Sequence, residues 1–166
     1  MEIINAKNIN IDELEVLFTD CFNELKDNDS ENFNDDNGQD FREWFGIDYL
    51  EDYLKYSHVI VAKDNDRLVG GAIVGMQNPL SWPDGRKYEL FILGVLPDSR
   101  NNGIGKLLVK EVEAVAKEAG AESVILNTHE LMVSTQKFYK DLGYEDIARL
   151  KKYYGNGSAV FFLKKL

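Results

Sequence analysis

The 166-residue sequence holds one cysteine, Cys21, so no intramolecular disulfide can form and nothing points to an oxidising compartment. Basic residues are few: 19 Lys and Arg stand against 29 Asp and Glu, for a net charge of -10. A grip on a nucleic-acid backbone needs clustered cations on an accessible face, and this balance argues against one. Apolar runs long enough to span a bilayer are missing, and residues 1–5 have neither the basic stretch nor the apolar run of an export signal. The expectation is a cytoplasmic protein that does not engage membranes. Its two histidines, His58 and His129, lie far apart among scattered carboxylates, so no metal-ligand spacing is recognisable. What the chain does have is aliphatic and aromatic residues along its whole length. That is material for one core, and residues 1–166 read as a single domain.

Residues 2–7 read as a short strand, and Asn10 stands where a helix N-cap belongs, with Glu13 as its capping-box partner. In the helix that follows, Leu14, Leu17, Phe18, Cys21, Phe22 and Leu25 recur at three and four, which buries one face and puts Cys21 in the core. Residues 26–40 are nearly all Asp, Asn, Glu, Ser and Gly, too polar to offset the entropy of ordering them, and read as a mobile acidic loop. A helical pattern returns over 41–56, interrupted at Gly46, with aromatics that either cover the core or face a ligand.

Residues 58–62 and 68–76 are β-rich and joined across Asp64-Asn65-Asp66, which predicts an antiparallel hairpin. Pro79, Pro83 and Asp84-Gly85 make 77–87 a loop that carries Trp82. Residues 88–96 are apolar except for Glu89, as expected of a central strand covered on both faces. A helix over 104–119 stops at Gly120, and a strand follows over 123–127. Ser134 caps a further helix that Gly143 ends, and 144–150 with 159–163 close the chain as a hairpin around Gly155-Asn156-Gly157.

Chemistry concentrates at Arg100-Asn101-Asn102-Gly103-Ile104-Gly105-Lys106, where a strand turns tightly into a helix. A helix start leaves amide donors unpaired at the positive end of its dipole, and glycines let them approach a phosphate closely. A pyrophosphate fits that description, with Lys106 adding charge. A Walker loop would need glycine at position 100 and Ser or Thr at 107, where Arg100 and Leu107 stand. A dinucleotide fingerprint would need a third glycine at 108, occupied by Leu108, and a parallel sheet upstream.

The run Val95-Leu96-Pro97-Asp98-Ser99-Arg100-Asn101-Asn102-Gly103-Ile104-Gly105 resembles the GNAT superfamily of N-acetyltransferases, whose pattern is Val-x-Pro followed by Arg or Gln-x-x-Gly-x-Gly or Ala. Downstream, Phe138-Tyr139-Lys140-Asp141-Leu142-Gly143-Tyr144 is similar to the family's aromatic-Tyr-x-x-x-Gly-aromatic segment. The resemblance is sharpest over residues 88–144. It implies an α/β (α+β) domain: a mixed, mostly antiparallel sheet of about seven strands, about four helices, and a splay between strands four and five.

The resemblance further implies acetyl-coenzyme A as co-substrate, without a metal. Its pantetheine arm would lie along the backbone of Leu93, Gly94 and Val95, and its pyrophosphate on residues 100–106. Gly94 also fits a second reading, a glycine against a bulky neighbour. Tyr139 matches the family's general acid near the thioester sulfur. Glu89 is the candidate base, or else a carboxylate at the wet end of its strand. Asn127 is counted with the cofactor contacts, at a position where members that acetylate protein N-termini often carry Glu. Met132 replaces a common Asn. His129 is a substitute base or a hydrogen-bonded bystander, and His58 is structural.

The implied activity is direct acetyl transfer to a primary amine of a small molecule or peptide, with a homodimer left open. A non-catalytic acyl-coenzyme A sensor is the alternative of another class. An N-terminal protein acetyltransferase draws on Tyr153-Tyr154 and is opposed by Asn127. The acidic balance makes a cationic acceptor the first to test.

Overall fold

The computed structural model describes residues 1–6, 9–33, 50–51, 54–76, 86–154 and 156–166, with residues 23–33 as backbone only. Seven strands form one sheet: β1 (Glu2–Asn5), β2 (Ser57–Asp64), β3 (Arg67–Met76), β4 (Lys87–Val95), β5 (Ser123–His129), β6 (Glu145–Tyr154) and β7 (Gly157–Lys165). They lie in the order β1-β2-β3-β4-β5-β7-β6, and every neighbouring pair is antiparallel except β4 with β5.

Three helices, α1 (Ile11–Phe33), α2 (Ile104–Glu118) and α3 (Val133–Asp141), are described along their length, and Leu50, Glu51 and Leu54 are helical within the span expected of a fourth. The fourth would fall on 41–56, where only Leu50, Glu51 and Leu54 to Tyr56 are described; the aromatics at 41–49 and Trp82 lie outside the described residues.

Local chemistry explains most boundaries. The Asn10 side chain accepts the Asp12 amide at 3.0 Å, the cap expected of it. Helix α1 does not stop at Lys26, however; its backbone continues to Phe33, into the segment read as a loop, and 34–40 lie outside the described residues. Asp64 pairs with Arg67 around a two-residue turn in which Asn65 takes φ 53°, a conformation asparagine tolerates. Helix α3 begins before Ser134: its cap position is Met132, without a side-chain cap bond. Gln136, in the first turn of α3, ties the helix to the preceding turn by donating to the carbonyls of His129 at 3.3 Å and Glu130 at 2.8 Å.

The two faces of the sheet carry separate cores. Leu14, Phe18, Val59, Val61, Ile73 and Ile92 pack together on the α1 face. Ile104, Leu108 and Val112 of α2 pack with Leu90, Val124 and Phe162 on the other face. Each fully buried side chain of this kind contributes about 1.5–3 kcal/mol, so both helices are held by their apolar stripes.

A bulge in β4 joins the two patterns. Ile73 pairs with Ile92 but Val74 pairs with Leu90, which leaves Phe91 as the extra residue. Tyr88, Leu90, Leu93 and Val95 therefore face α2, whereas Phe91 and Ile92 face α1. By alternation Glu89 lies on the α1 face as well, and Gly94 meets Cys21 of α1 there.

Candidate active site

The parallel pair parts halfway. Lys87 pairs with Ser123, Tyr88 with Val124 and Glu89 with Ile125, and pairing then ends. Strand β4 runs on to Val95 beside β3, while β5 runs on to His129 beside β7. The expected splay is thus present, and it opens at Glu89.

At the far end of β4 lies the turn into α2. A short 3-10 turn, Pro97–Ser99, leads through Asn101 at φ 63° to Gly103 at φ 77°, the cap position of α2. Two left-handed residues this close curl the chain into a concave nest of amides. The first intrahelical donor is the Leu107 amide, which bonds the Gly103 carbonyl at 3.1 Å. The amides ahead of it have no intrahelical acceptor, and no side chain caps them. Nothing lies within 4 Å of where a Cβ on Gly103 would sit, so the cradle is open on that side. Asn101, Asn102 and Lys106 are exposed around it, and Gly105 rests against Phe138 of α3. These features fit a diphosphate.

The Arg100 side chain, at the head of the segment expected to hold the pyrophosphate, bonds backbone carbonyls. Its Nε donates to the Val95 carbonyl at 3.0 Å and a terminal nitrogen donates to the Cys21 carbonyl at 2.7 Å. The side chain thus straps α1 to the end of β4, and the Arg100 amide donates to the Pro97 carbonyl at 3.4 Å. Gly94 shows the tight neighbour that was the second reading of it: a Cβ there would sit 2.9 Å from Cys21 Cβ and Sγ. The glycine lets α1 seat against the open strand. Sequence could flag the strap only as an Arg in a motif, because its acceptor is 79 positions away.

Tyr139 lies on the α2 face, 5% exposed, with ring contacts to Phe138 at 5.2 Å, Tyr144 at 5.7 Å and Phe162 at 6.2 Å. Burial raises its phenol far above the ordinary range, so it carries its proton at every physiological pH.

The α1 face of the split gathers different chemistry. Leu126 faces α2, so Ile125, Asn127 and His129 point the other way, alongside Glu89. Tyr154 donates its hydroxyl to Asn127 Oδ1, and its ring lies 5.4 Å from that of His129. The side-chain oxygen of Asn127, a residue expected among the cofactor contacts, faces the closing hairpin. Tyr153 packs on Tyr154 at 5.0 Å and Phe161 at 5.5 Å. Its hydroxyl is raised above the usual phenol range, first by burial and then by the negative charge of Glu89.

His129 has the hydrogen-bonded arrangement of the bystander reading. Its Nδ1 accepts the Leu131 amide at 3.1 Å, so the neutral ring carries its proton on Nε2 and offers no free lone pair. The ring is 2% exposed and lies against Gly157, where a Cβ would overlap Nε2. His58 lies 6.3 Å from the Tyr88 ring on β2, away from the split, in keeping with a structural part.

Sequence reasoning missed Glu130 altogether. Its carboxylate accepts the Ser158 amide at 2.9 Å and pairs with Arg149 at 3.6 Å. The Ser158 hydroxyl and amide, and after them Arg149, hold it below the usual carboxylate range. Among the described residues no three metal-ligating side chains gather, and no helix is long and apolar enough to cross a membrane.

A sheet parted between two parallel strands, with a nest of free amides opening the next helix, is the architecture of an acyltransferase. Residues 14–144 match the Acetyltransferase (GNAT) family, and the chain belongs to it: it is an N-acetyltransferase of that family. N-alpha-acetyltransferase 30 of Schizosaccharomyces pombe is 31% identical over 124 residues, covering 69% of this chain and 81% of that protein. The chain spans less than half the length of the other curated relatives it matches.

Among solved structures, the PaiA N-acetyltransferase of Thermoplasma acidophilum in complex with coenzyme A has TM-score 0.74 at 20% identity, covering 100% of both chains. The NatC complex bound to Gag peptide and CoA has TM-score 0.67 at 16% identity, covering 100% of this chain and 99% of that chain.

Proposed function

We propose that the chain moves the acetyl group of acetyl-coenzyme A directly to the α-amine of a peptide. The observation that carries this reading is the split at Glu89 and Ile125, which has the amide cradle and Tyr139 on one side and a carboxylate with two tyrosines on the other. The backbones of Leu93, Gly94 and Val95 border the gap and would hold the pantetheine arm; the amides of 101–106 would hold the diphosphate, with Lys106 adding charge. When bound, acetyl-coenzyme A supplies the thioester carbon that an amine attacks.

An amine arrives protonated at neutral pH, so a base must remove a proton before attack. Glu89, at the opening of the split, takes that proton directly or through water. Tyr139 holds a proton on its phenol oxygen for the departing thiolate. The likeness to an N-alpha-acetyltransferase favours a peptide α-amine over a small amine, and Tyr153 and Tyr154 supply hydroxyls and ring faces suited to a peptide end. Asn127 leaves β5 without a carboxylate at the level of the tyrosines, so proton removal rests on Glu89. The reading places the protein in the cytoplasm, with Cys21 reduced.

The test is thiol release from acetyl-coenzyme A with peptides bearing free or blocked N-termini, lysine side chains and small amines. Free N-termini are expected to turn over and blocked ones not. Binding of acetyl-coenzyme A without turnover on any amine would instead make the chain a sensor.

A further inference from the structure

The acceptor side of the split is built largely from the β6–β7 hairpin, and β6 is an edge strand whose side chains are exposed from Glu145 to Tyr153. A bulge between Leu150 and Tyr154, with Lys152 at φ 55°, frees the end of that strand from regular pairing. Something else must then fix where Tyr153 and Tyr154 stand. Glu130, in the turn between β5 and α3, touches both strands of the hairpin: its Oε1 accepts the Ser158 amide of β7 at 2.9 Å, and its Oε2 lies 3.6 Å from Arg149 of β6. The Glu130 amide donates back to the Ser158 carbonyl at 2.9 Å, so the clasp is reciprocal.

Resting on the function proposed above, we infer that Glu130 is a positioning residue for the acceptor: its clasp on Ser158 and Arg149 holds the hairpin so that Tyr153 and Tyr154 line the split opposite Glu89. A peptide bound there meets side chains whose places depend on a carboxylate that does not touch it. The amide cradle and Tyr139 lie on the other face of the sheet and are not reached by this clasp.

Loss of the clasp therefore separates the two substrates. Glu130→Ala is expected to lower kcat/KM for a peptide with a free N-terminus about tenfold or more, chiefly through KM, because small misplacements of positioning groups have effects of that order or larger. The KM for acetyl-coenzyme A should stay within about twofold of wild type. Glu130→Gln keeps an oxygen for the Ser158 amide and should recover most of the peptide KM. Hydrogen exchange at the Ser158 amide, followed without any acceptor, should quicken in Glu130→Ala and remain slow in Glu130→Gln.

Peptide KM unchanged in Glu130→Ala would overturn the inference. So would a parallel rise in both KM values, which would mean general loosening, or a glutamine variant as impaired as the alanine one. Wild-type protein inactive on every amine would sink the proposed function instead; Ser158 exchange would then decide the clasp, and equal rates in wild type and Glu130→Ala would end it.

Discussion

Tyr139 shows how packing alone can prepare a side chain for the acid role proposed for it. Its ring fills the core between Tyr144 and Phe162, while the same burial keeps the hydroxyl protonated. Tyr139→Phe retains the ring and removes only the acid. Turnover should fall about 10²-fold or more while affinity for acetyl-coenzyme A barely changes, as steady-state kinetics and a binding titration would show. Cys21 tells a different story, since burial pushes its thiol up to about 12 against a weaker opposing pull from Arg100. A raised pKa means the unfolded chain loses its proton first. Stability is then level below about pH 8.5 and falls as pH climbs from there toward the folded value. Urea midpoints measured between about pH 8 and pH 10 should decline more steeply in wild type than in Cys21→Ala, while the tyrosines, which ionise in the unfolded chain near pH 10, lower both midpoints alike. Tyr139 and Cys21 were both legible in the sequence, one from a motif and one from helical spacing. Arg100 and Glu130 were not, because hydrogen bonds to carbonyls and amides distant in the chain leave no pattern in local spacing.

At the scale of elements, the turn into α2 and the bulge in β4 do the positioning. Gly103 holds φ 77° with open space beside it, so a bulkier residue there suffers backbone strain and little crowding. Gly103→Val should cost about 1–2 kcal/mol in the nest's geometry and weaken acetyl-coenzyme A by roughly tenfold, measurable by calorimetry, with the peptide KM little affected. Gly94→Ala tests the opposite kind of glycine. Its Cβ would meet Cys21 at 2.9 Å, and the overpacking should lower stability by about 1–3 kcal/mol in a denaturant titration. The strand, turn and helix around the cradle were readable from composition, as was the β2–β3 hairpin. The bulge at Phe91 was not, because apolar residues suit either face of a central strand and alternation carries no signal there. Helix α1 outran its apolar stripe for a related reason: composition indicates where a helix is stabilised by burial, and the backbone ladder continues past that point to Phe33.

Over the whole molecule, the charge of -10 bears on encounter more than on fold. A lysine-rich peptide should lose kcat/KM as ionic strength rises from about 0.01 M to 0.15 M, while a neutral peptide changes little, because the Debye length shrinks from about 30 Å to about 8 Å. Equal salt dependence for both peptides would remove charge from the account of acceptor choice. By itself the sequence determined the kind of sheet and helix, the amide cradle and the tyrosine of α3, since each rests on residues close together in the chain. Only the tertiary structure decided which face each group serves. Glu89 and Tyr139 come from separate elements and are divided by the sheet; the bulge sets which residues of β4 face α1, and the Arg100 and Glu130 side chains bond groups on other elements. Those contacts join residues far apart in sequence, and their geometry exists only once both cores have packed.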